Sequence, residues 1–299
     1  MGERRTVHAF FLTEENAFQR EQVAAVESAA RRHHLDLKVR YAESNALIQI
    51  QQLYESVHAK KGPAPDAILV EPVAEEGMPR VAKNAAAAGI GWVVLNAETK
   101  YIPELRARHP ELVLVGVAVD NVRAGEIQGA QVLKLLGGKK GASVLVVRGP
   151  FGSGATEDRA KGLEQTIAGH DVSLANVDTN WTRADARSVV QEWLRLGRAA
   201  PDLVVGQNDE VAQGARDALG ERLQPSALRS IPFIGCDGLP TGGQELVKVG
   251  DLRATVITPA PGERGIELLA AFYDGSRPSG AQVLTTPVSY PALEQIKGG

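Results

Sequence analysis

The sequence predicts an α/β protein made of two doubly wound parallel-sheet lobes, and three observations carry the prediction. Short apolar runs alternate with segments whose apolar residues recur every three or four positions. Parallel strands need a crossover between them, which a helix supplies, so the alternation implies parallel sheet. The series breaks near Val119–Asn121 and then begins again, as two similar lobes require. Finally, 299 residues exceed one ordinary core and fit two lobes of roughly 120–150 residues each.

The elements follow in order. Val7–Leu12 (VHAFFL) is an apolar run that reads as a strand, and Gln19–His34 carries Val23, Val26 and Ala30 on one helical face. Leu37–Tyr41 is a second strand, and Ala46–Ala59 a helix with Leu47, Ile50, Leu53, Tyr54 and Val57 on one side. Ala67–Val70 is a strand closed by Pro72, and Gly77–Ala88 a helix stopped at Gly89, a residue suited to the C′ position. Trp92–Leu95 gives the fourth strand, and Thr99–Glu111 reads as an inserted turn and short helix before the strand Leu112–Val119. The second series runs helix Ala124–Leu136, strand Ser143–Arg148, helix Thr156–Ala168, strand Val172–Asp178 and helix Arg183–Leu196. It closes with strand Leu203–Gly206, helix Glu210–Leu219 and strand Phe233–Cys236. Trp92 and Trp193, mid-strand and mid-helix, are expected in the core.

Composition narrows the function. A net charge of −3 leaves no basic footprint, which argues against a nucleic-acid binder. The single thiol, Cys236, excludes an intrachain disulfide and a cysteine metal cluster. No apolar run approaches the ~20 residues of a membrane span. Met1–Arg5 lead straight into the first strand without a separate apolar leader segment. The expectation is therefore an omitted leader or a cytoplasmic protein.

Motifs that would signal catalysis fail on single residues. Gly149–Thr156 (GPFGSGAT) lies between a strand and a helix, where phosphate loops occur, but Ala155 stands where a P-loop needs Lys. Read as a dinucleotide fingerprint from Gly152 and Gly154, the same stretch puts Glu157 in place of the third glycine. A serine elbow at Ser153 would need glycine where Phe151 stands. The histidines show no i, i+4 pair, and Glu75-Glu76 and Asp209-Glu210 diverge as helical neighbours. The expectation is a non-enzyme without cofactor or metal.

Open parallel sheets bind ligands beyond the carboxyl ends of their strands. The residues just past those ends are Asn16, Phe18, Glu71, Asn96, Asp120, Arg159, Trp181, Asn208 and Asp237. A hinge between two lobes would bring both sets into one cleft. Each also has a plainer reading. Phe18 suits the core, Asn208 the cap of the following helix, Asp237 a turn before Gly238, and Arg159 a solvated helix face.

Three stretches, QNDEVAQGARDAL (Gln207–Leu219), IGCDGLP (Ile234–Pro240) and DLRATVITPAPGERG (Asp251–Gly265), resemble the sugar-binding branch of the type I periplasmic binding proteins, related to the ribose-binding type. ILVEPVAEEG (Ile68–Gly77), AGIGWVVLNAE (Ala88–Glu98), VAVDNVRAGEIQG (Val117–Gly129) and RGPFGSGATEDRAKGLEQTI (Arg148–Ile167) are similar to further family landmarks, in family order. The resemblance implies two lobes joined by a three-crossover hinge. Residues 1–119 with 260–287 would form the first lobe, and residues 120–259 with 288–299 the second. It also implies a monomeric, non-enzymatic clamp for a sugar or polyol, serving an ABC permease or a sensor kinase, with no nucleic acid and no direct membrane insertion. The same lobes occur in repressors of the lactose-repressor family. Those carry a DNA-binding segment of roughly 60 residues, for which a first strand at Thr6 leaves no room. A cytoplasmic ligand-sensing regulatory domain without that segment is the alternative.

For the site, the resemblance implies Asn16, with Phe18 and Trp181 as apolar walls and Arg159, Asn208 and Asp237 as polar clamps. Thr258 stands where a Gln usually meets the sugar, Asn96-Ala97 where the pattern has Asp-Arg, and Glu71 where an Asn is common. The lost arginine and added carboxylate predict a more acidic pocket, which leaves a polyol, another monosaccharide or an amino-bearing solute open. Glu71 would then need hydrogen bonds or a positive partner, since burying a carboxylate unpaired is costly.

Overall fold

Strand β1 (Thr6–Phe11) begins the first sheet in the computed structural model, which describes residues 4–15, 17–58, 63–97 and 99–298. It is followed by α1 (Ala17–Arg32), β2 (Asp36–Tyr41), α2 (Ala46–Val57), β3 (Ala67–Val70), α3 (Met78–Ala87), β4 (Gly91–Leu95), α4 (Ile102–Arg108) and β5 (Leu114–Val119). The second series is α5 (Asn121–Leu136), β6 (Ala142–Arg148), α6 (Gly154–Ile167), β7 (Val172–Asp178), α7 (Arg183–Arg195), β8 (Leu203–Gly206), α8 (Asp209–Gly220), α9 (Pro225–Ser230) and β9 (Phe233–Ile234). Then come α10 (Gly243–Val249), β10 (Thr255–Ile257), α11 (Pro261–Tyr273), β11 (Gln282–Thr285) and β12 (Val288–Tyr290).

The chain forms two compact units, Met1–Val119 with Pro259–Thr285 and Asp120–Thr258 with Thr286–Gly299, so it passes between them three times. The first holds a six-stranded, wholly parallel sheet in the order β11-β5-β4-β3-β1-β2. Alternate side chains serve opposite faces, as a strand's two-residue period dictates. Val7, Ala9, Phe11 and Leu69 pack with Val26 of α1 and Leu269 of α11. Phe10, Ile68, Val70 and Trp92 pack with Leu53, Val81 and Ile102 from α2, α3 and α4. Trp92 is thus core, as its mid-strand position predicts. The α2 helix starts at Asn45, whose Oδ1 accepts from the Leu47 N–H at 2.9 Å; its expected last residue, Ala59, lies outside the described residues.

In the second unit the parallel order is β7-β6-β8-β9, and β10 pairs antiparallel with β12. Val204, Leu145 and Val147 face α7 and α8 through Val190, Ala212 and Ala215. Val144, Val146 and Val205 face α5 and α6 through Val132, Leu163 and Ile167. Trp193 is half-buried against the α7–α8 layer. The doubly wound parallel sheets that the alternation predicts are present in both units. One element is shorter than its apolar run: β9 ends at Ile234 because the Gly235 N–H turns to the Ala254 carbonyl at 3.0 Å.

Helix α6, which carries Arg159, lies against α5 with little space between. A Cβ built on Gly125 of α5 would stand 2.0 Å from the Arg159 carbonyl oxygen. Backbone cannot yield as a side chain does, so Gly125→Ala is expected to destabilise by at least the about 1–3 kcal/mol of ordinary overpacking. Gly154→Ala, in open space at the start of α6, should be neutral or stabilising by up to ~1 kcal/mol. Urea denaturation of the two variants checks this; equal midpoints would show that the helix contact is not tight.

Candidate functional site

Past the carboxyl ends of β6 to β9, five of the expected residues (Arg159, Trp181, Asn208, Asp237 and Thr258) form one group within the second unit, joined by hydrogen bonds, an ion pair and a ring contact. Arg159 is its centre, only 7% exposed. Its Nε donates to Asn121 Oδ1 at 2.9 Å, and its Nη1 donates to the Gln207 carbonyl oxygen. The same Nη1 lies 3.6 Å from Asp237 Oδ1, an ion pair rather than a short hydrogen bond. The guanidinium carbon is 5.7 Å from the Trp181 ring centroid, within cation–π range. A solvated helix charge is therefore not what Arg159 is.

The neighbours are placed by local backbone. Trp181, in the loop between β7 and α7, takes φ 73° and lays its ring over Gly149, where a Cβ would stand 2.1 Å from an indole carbon. Asn208 serves twice: Oδ1 caps α8 by accepting from the Val211 N–H at 2.8 Å, while Nδ2 donates to the Trp181 carbonyl at 3.1 Å. Gln207 ties the loop after β6 to β8, accepting from the Gly149 N–H at 3.0 Å and donating to the Thr156 carbonyl at 2.9 Å. Asp237 occupies the turn after β9 at φ 95°, and its carbonyl accepts from the Thr258 N–H at 3.1 Å. Thr258 itself is buried. Asp120 caps α5 by accepting from the Arg123 N–H at 2.9 Å.

Two acids here are pushed up. Burial raises the Asp237 carboxyl to about 6, with Arg159 opposing the rise. Burial, then the charge of Asp237, raises Asp209 to about 8 against the hydrogen bonds of Thr255 and Gly238. Burial likewise lifts the Cys236 thiol to about 12, which leaves it protonated and poorly nucleophilic. The group offers a fixed guanidinium, a carboxylate with 18% of its side chain exposed, and an aromatic face. Such groups suit hydrogen bonding to hydroxyls and cover for ring C–H surfaces. Among the described residues no cluster of His, Cys, Asp and Glu is placed to hold a metal ion.

In the first unit Glu71 and Asn96 come together past β3 and β4. Glu71 is buried, and its Oε2 accepts from Gln19 Nε2 at 2.8 Å and Gln22 Nε2 at 2.6 Å. Its Oε1 accepts from Asn96 Nδ2 at 2.9 Å. Burial raises its pKa, and these hydrogen bonds oppose the rise. Of the two expected ways to settle this carboxyl group, hydrogen bonds or a positive partner, the structure uses hydrogen bonds, and neutral amides meet both oxygens. Asn96 sits at φ 50° and also accepts from the Val119 N–H at 3.4 Å. Phe18 is half-buried in the first turn of α1, one residue before Gln19. Asn16 lies outside the described residues.

Sequence reasoning passed over Gln19, Gln22, Asn121, Gln207 and Asp209. The i, i+3 spacing of Gln19 and Gln22 puts two amides on one helix face, and Gln207-Asn208-Asp209 follows a strand end directly. Both signals were legible, but neither shows a partner.

A family model described as periplasmic binding protein domain matches residues 10–276. A xylitol-binding protein of Mycolicibacterium smegmatis is 27% identical over 275 residues, 91% of this chain and 72% of the relative. A ribose import binding protein of Escherichia coli is 31% identical over 215 residues, 70% of this chain and 66% of the relative, just under two thirds of its length. The solved structure of an ABC transporter periplasmic solute-binding protein from Actinobacillus succinogenes, with bound D-allose, superposes with a TM-score of 0.81. It is 21% identical and covers 98% of this chain and 99% of its own, a likeness of fold.

The raised acids make stability depend on pH. An acid whose folded pKa exceeds its unfolded value binds an extra proton in the folded state, so stability falls as pH rises between the two. For Asp237 and Asp209 the window opens near the ordinary 3.8 and closes at about 6 and about 8. The melting temperature of Asp209→Asn, measured against the unmodified protein from pH 4 to 9, should therefore gain on it as pH rises. A constant difference across that range would mean that Asp209 titrates as an ordinary acid.

Proposed function

The chain belongs to the periplasmic binding protein domain family, and on that premise we propose that it binds a neutral polyhydroxy compound, a sugar or polyol, for an ABC importer outside the cytoplasm. It is a solute-binding protein, a class that carries its ligand without changing it. The observation that carries the ligand class is the Arg159–Asp237 pair beside the Trp181 ring. Donor and acceptor lie 3.6 Å apart, and neither needs a charged ligand because each already faces the other. Glu71 points the same way, since three amide donors satisfy it without a cation.

Support for sugars and polyols also comes from the relatives, whose names specify xylitol and ribose. The import role rests on the same kin, one of which is an import binding protein. A thermal-shift panel of xylitol, D-ribose, D-allose and myo-inositol, with D-glucuronate as the acidic comparison, tests the class by mass action. At least one neutral compound should raise the melting temperature and the acid should not. Stabilisation by glucuronate alone would overturn the reading.

With a stabilising compound in hand, Asp237→Ala and Asn208→Ala should each weaken binding in calorimetry. Losing a hydrogen bond to the charged Asp237 costs about 1.5–3 kcal/mol, or roughly 10- to 150-fold, and losing a neutral one at Asn208 about 0.5–1.5 kcal/mol, or roughly 2- to 13-fold. Asn208→Ala should in addition lower stability by about 1 kcal/mol through the lost helix cap. Unchanged affinity in both variants would remove this group from the site.

A further inference from the structure

Asp209 is the first residue of α8 and is 7% exposed. Its carboxyl oxygens are held by neutral groups. Oδ1 meets Thr255 Oγ1 at 2.6 Å, and Oδ2 accepts from the Gly238 N–H at 2.8 Å. A Cβ on Gly235 would stand 2.1 Å from Oδ1, and one on Gly243 2.2 Å from Oδ2. Three segments thus close on this one carboxyl group at the start of α8: the loop past β9, the start of α10, and β10.

The contact with Gly238 has a particular consequence. Asp237 and Gly238 are consecutive left-handed residues, at φ 95° and 59°. Glycine tolerates this, whereas an aspartate at such a φ needs its surroundings to hold it there. Two holds flank the turn: Asp209 on the Gly238 N–H, and the Thr258 N–H on the Asp237 carbonyl.

We propose that Asp209 is a positioning residue for ligand binding: its carboxyl group clamps the Asp237–Gly238 turn and so aims the Asp237 carboxylate beside Arg159. The proposal rests on the reading above that Asp237 meets the ligand. Asp209 acts as a neutral acid, which its pKa of about 8 supports. The charged groups that bear on it are Asp237, after β9, and Arg159, on α6. Glu210 acts in turn on Asp237, and the Cys236 thiol beside them stays protonated. As an acid, Asp209 leaves the Arg159 charge to Asp237 alone. Its O–H can donate to Thr255 Oγ1 while Oδ2 still accepts from Gly238.

Asp209→Asn reproduces that neutral group, its amide donating to Thr255 Oγ1 and its carbonyl accepting from Gly238. Calorimetry with the neutral panel compound that stabilises the protein should find Asp209→Asn within about threefold of the unmodified affinity at pH 7, and Asp209→Ala at least tenfold weaker, roughly one lost hydrogen bond to a charged group. Unmodified affinity should fall as pH rises through about 8, where Asp209 ionises, and Asp209→Asn should stay flat over that range. This profile decides the matter even if Asp209→Ala does not fold; identical profiles for the two, or Asp209→Asn as weak as Asp209→Ala, would overturn the proposal. Crystal structures of the ligand-free variants give a readout that needs no sugar. Asp237 should keep its left-handed turn in Asp209→Asn and leave it in Asp209→Ala, and a folded Asp209→Ala with Asp237 unmoved would be decisive against the clamp. If no panel compound binds, the sugar reading fails and these structures still judge Asp209.

Discussion

A guanidinium group taken out of water must be met by oxygen atoms, and Arg159 draws three separate segments to itself for that reason and a fourth that brings an aromatic ring. Asn121 comes from the start of α5, the Gln207 carbonyl from the end of β8, Asp237 from the turn past β9, and Trp181 from the loop after β7. Burial disfavours the charge on Arg159, but the facing Asp237 carboxylate opposes that cost, and the guanidinium pKa is raised rather than lowered. Breaking a buried ion pair by removing one partner is costly, because the other charge is left alone. The whole carboxyl end of the second unit's sheet is therefore arranged around one side chain.

The first unit meets the same problem with the opposite sign. Glu71 is a buried carboxyl group, and amides from α1 and from the end of β4 hold it instead of a cation. The network reaches further. Gln22 accepts from the Gly262 N–H at 3.2 Å, and Gln49 donates to the Glu71 carbonyl at 2.8 Å, so α1, α2 and α11 all meet at the end of β3. Hydrogen bonds to an ionised group are the stronger kind. Here they fasten helices to a strand end rather than reach outward.

Both clusters use the same feature of a parallel sheet. Its strands run out together at one edge, and the loops there carry polar groups that no ladder satisfies. Filling that edge with side chains that are bonded to one another yields a rigid surface whose few open valences face outward. Asp237 keeps some of its carboxylate accessible, while Asn208 and Gln207 are engaged within the protein. Rigid, partly satisfied groups of this kind suit the hydroxyl-rich solute proposed above, because little ordering is left for binding to impose.

How much was legible beforehand differs by level. The apolar period of Val7–Phe11 and Ala67–Val70 is a local property, and it is enough to write the strands and the parallel class. The position of Asn208 and Asp237 past strand ends is also local, and it singles them out. Partner choice is not local. Arg159 and Asp237 are far apart in the chain, and only the packed sheet brings them within 3.6 Å. The buried state of Asp209 follows from Gly235, Gly243 and Thr255 closing around it, which no helix pattern reveals. The same holds for Glu71, whose letter implies a charge seeking a cation until Gln19, Gln22 and Asn96 are placed against it. By itself the sequence determined which segments are strands and helices and which residues stand at their mouths, because periodicity and chain order are written in it. Tertiary structure alone decided what each polar group is bonded to and how easily it ionises, because burial and distance are properties of the packed molecule.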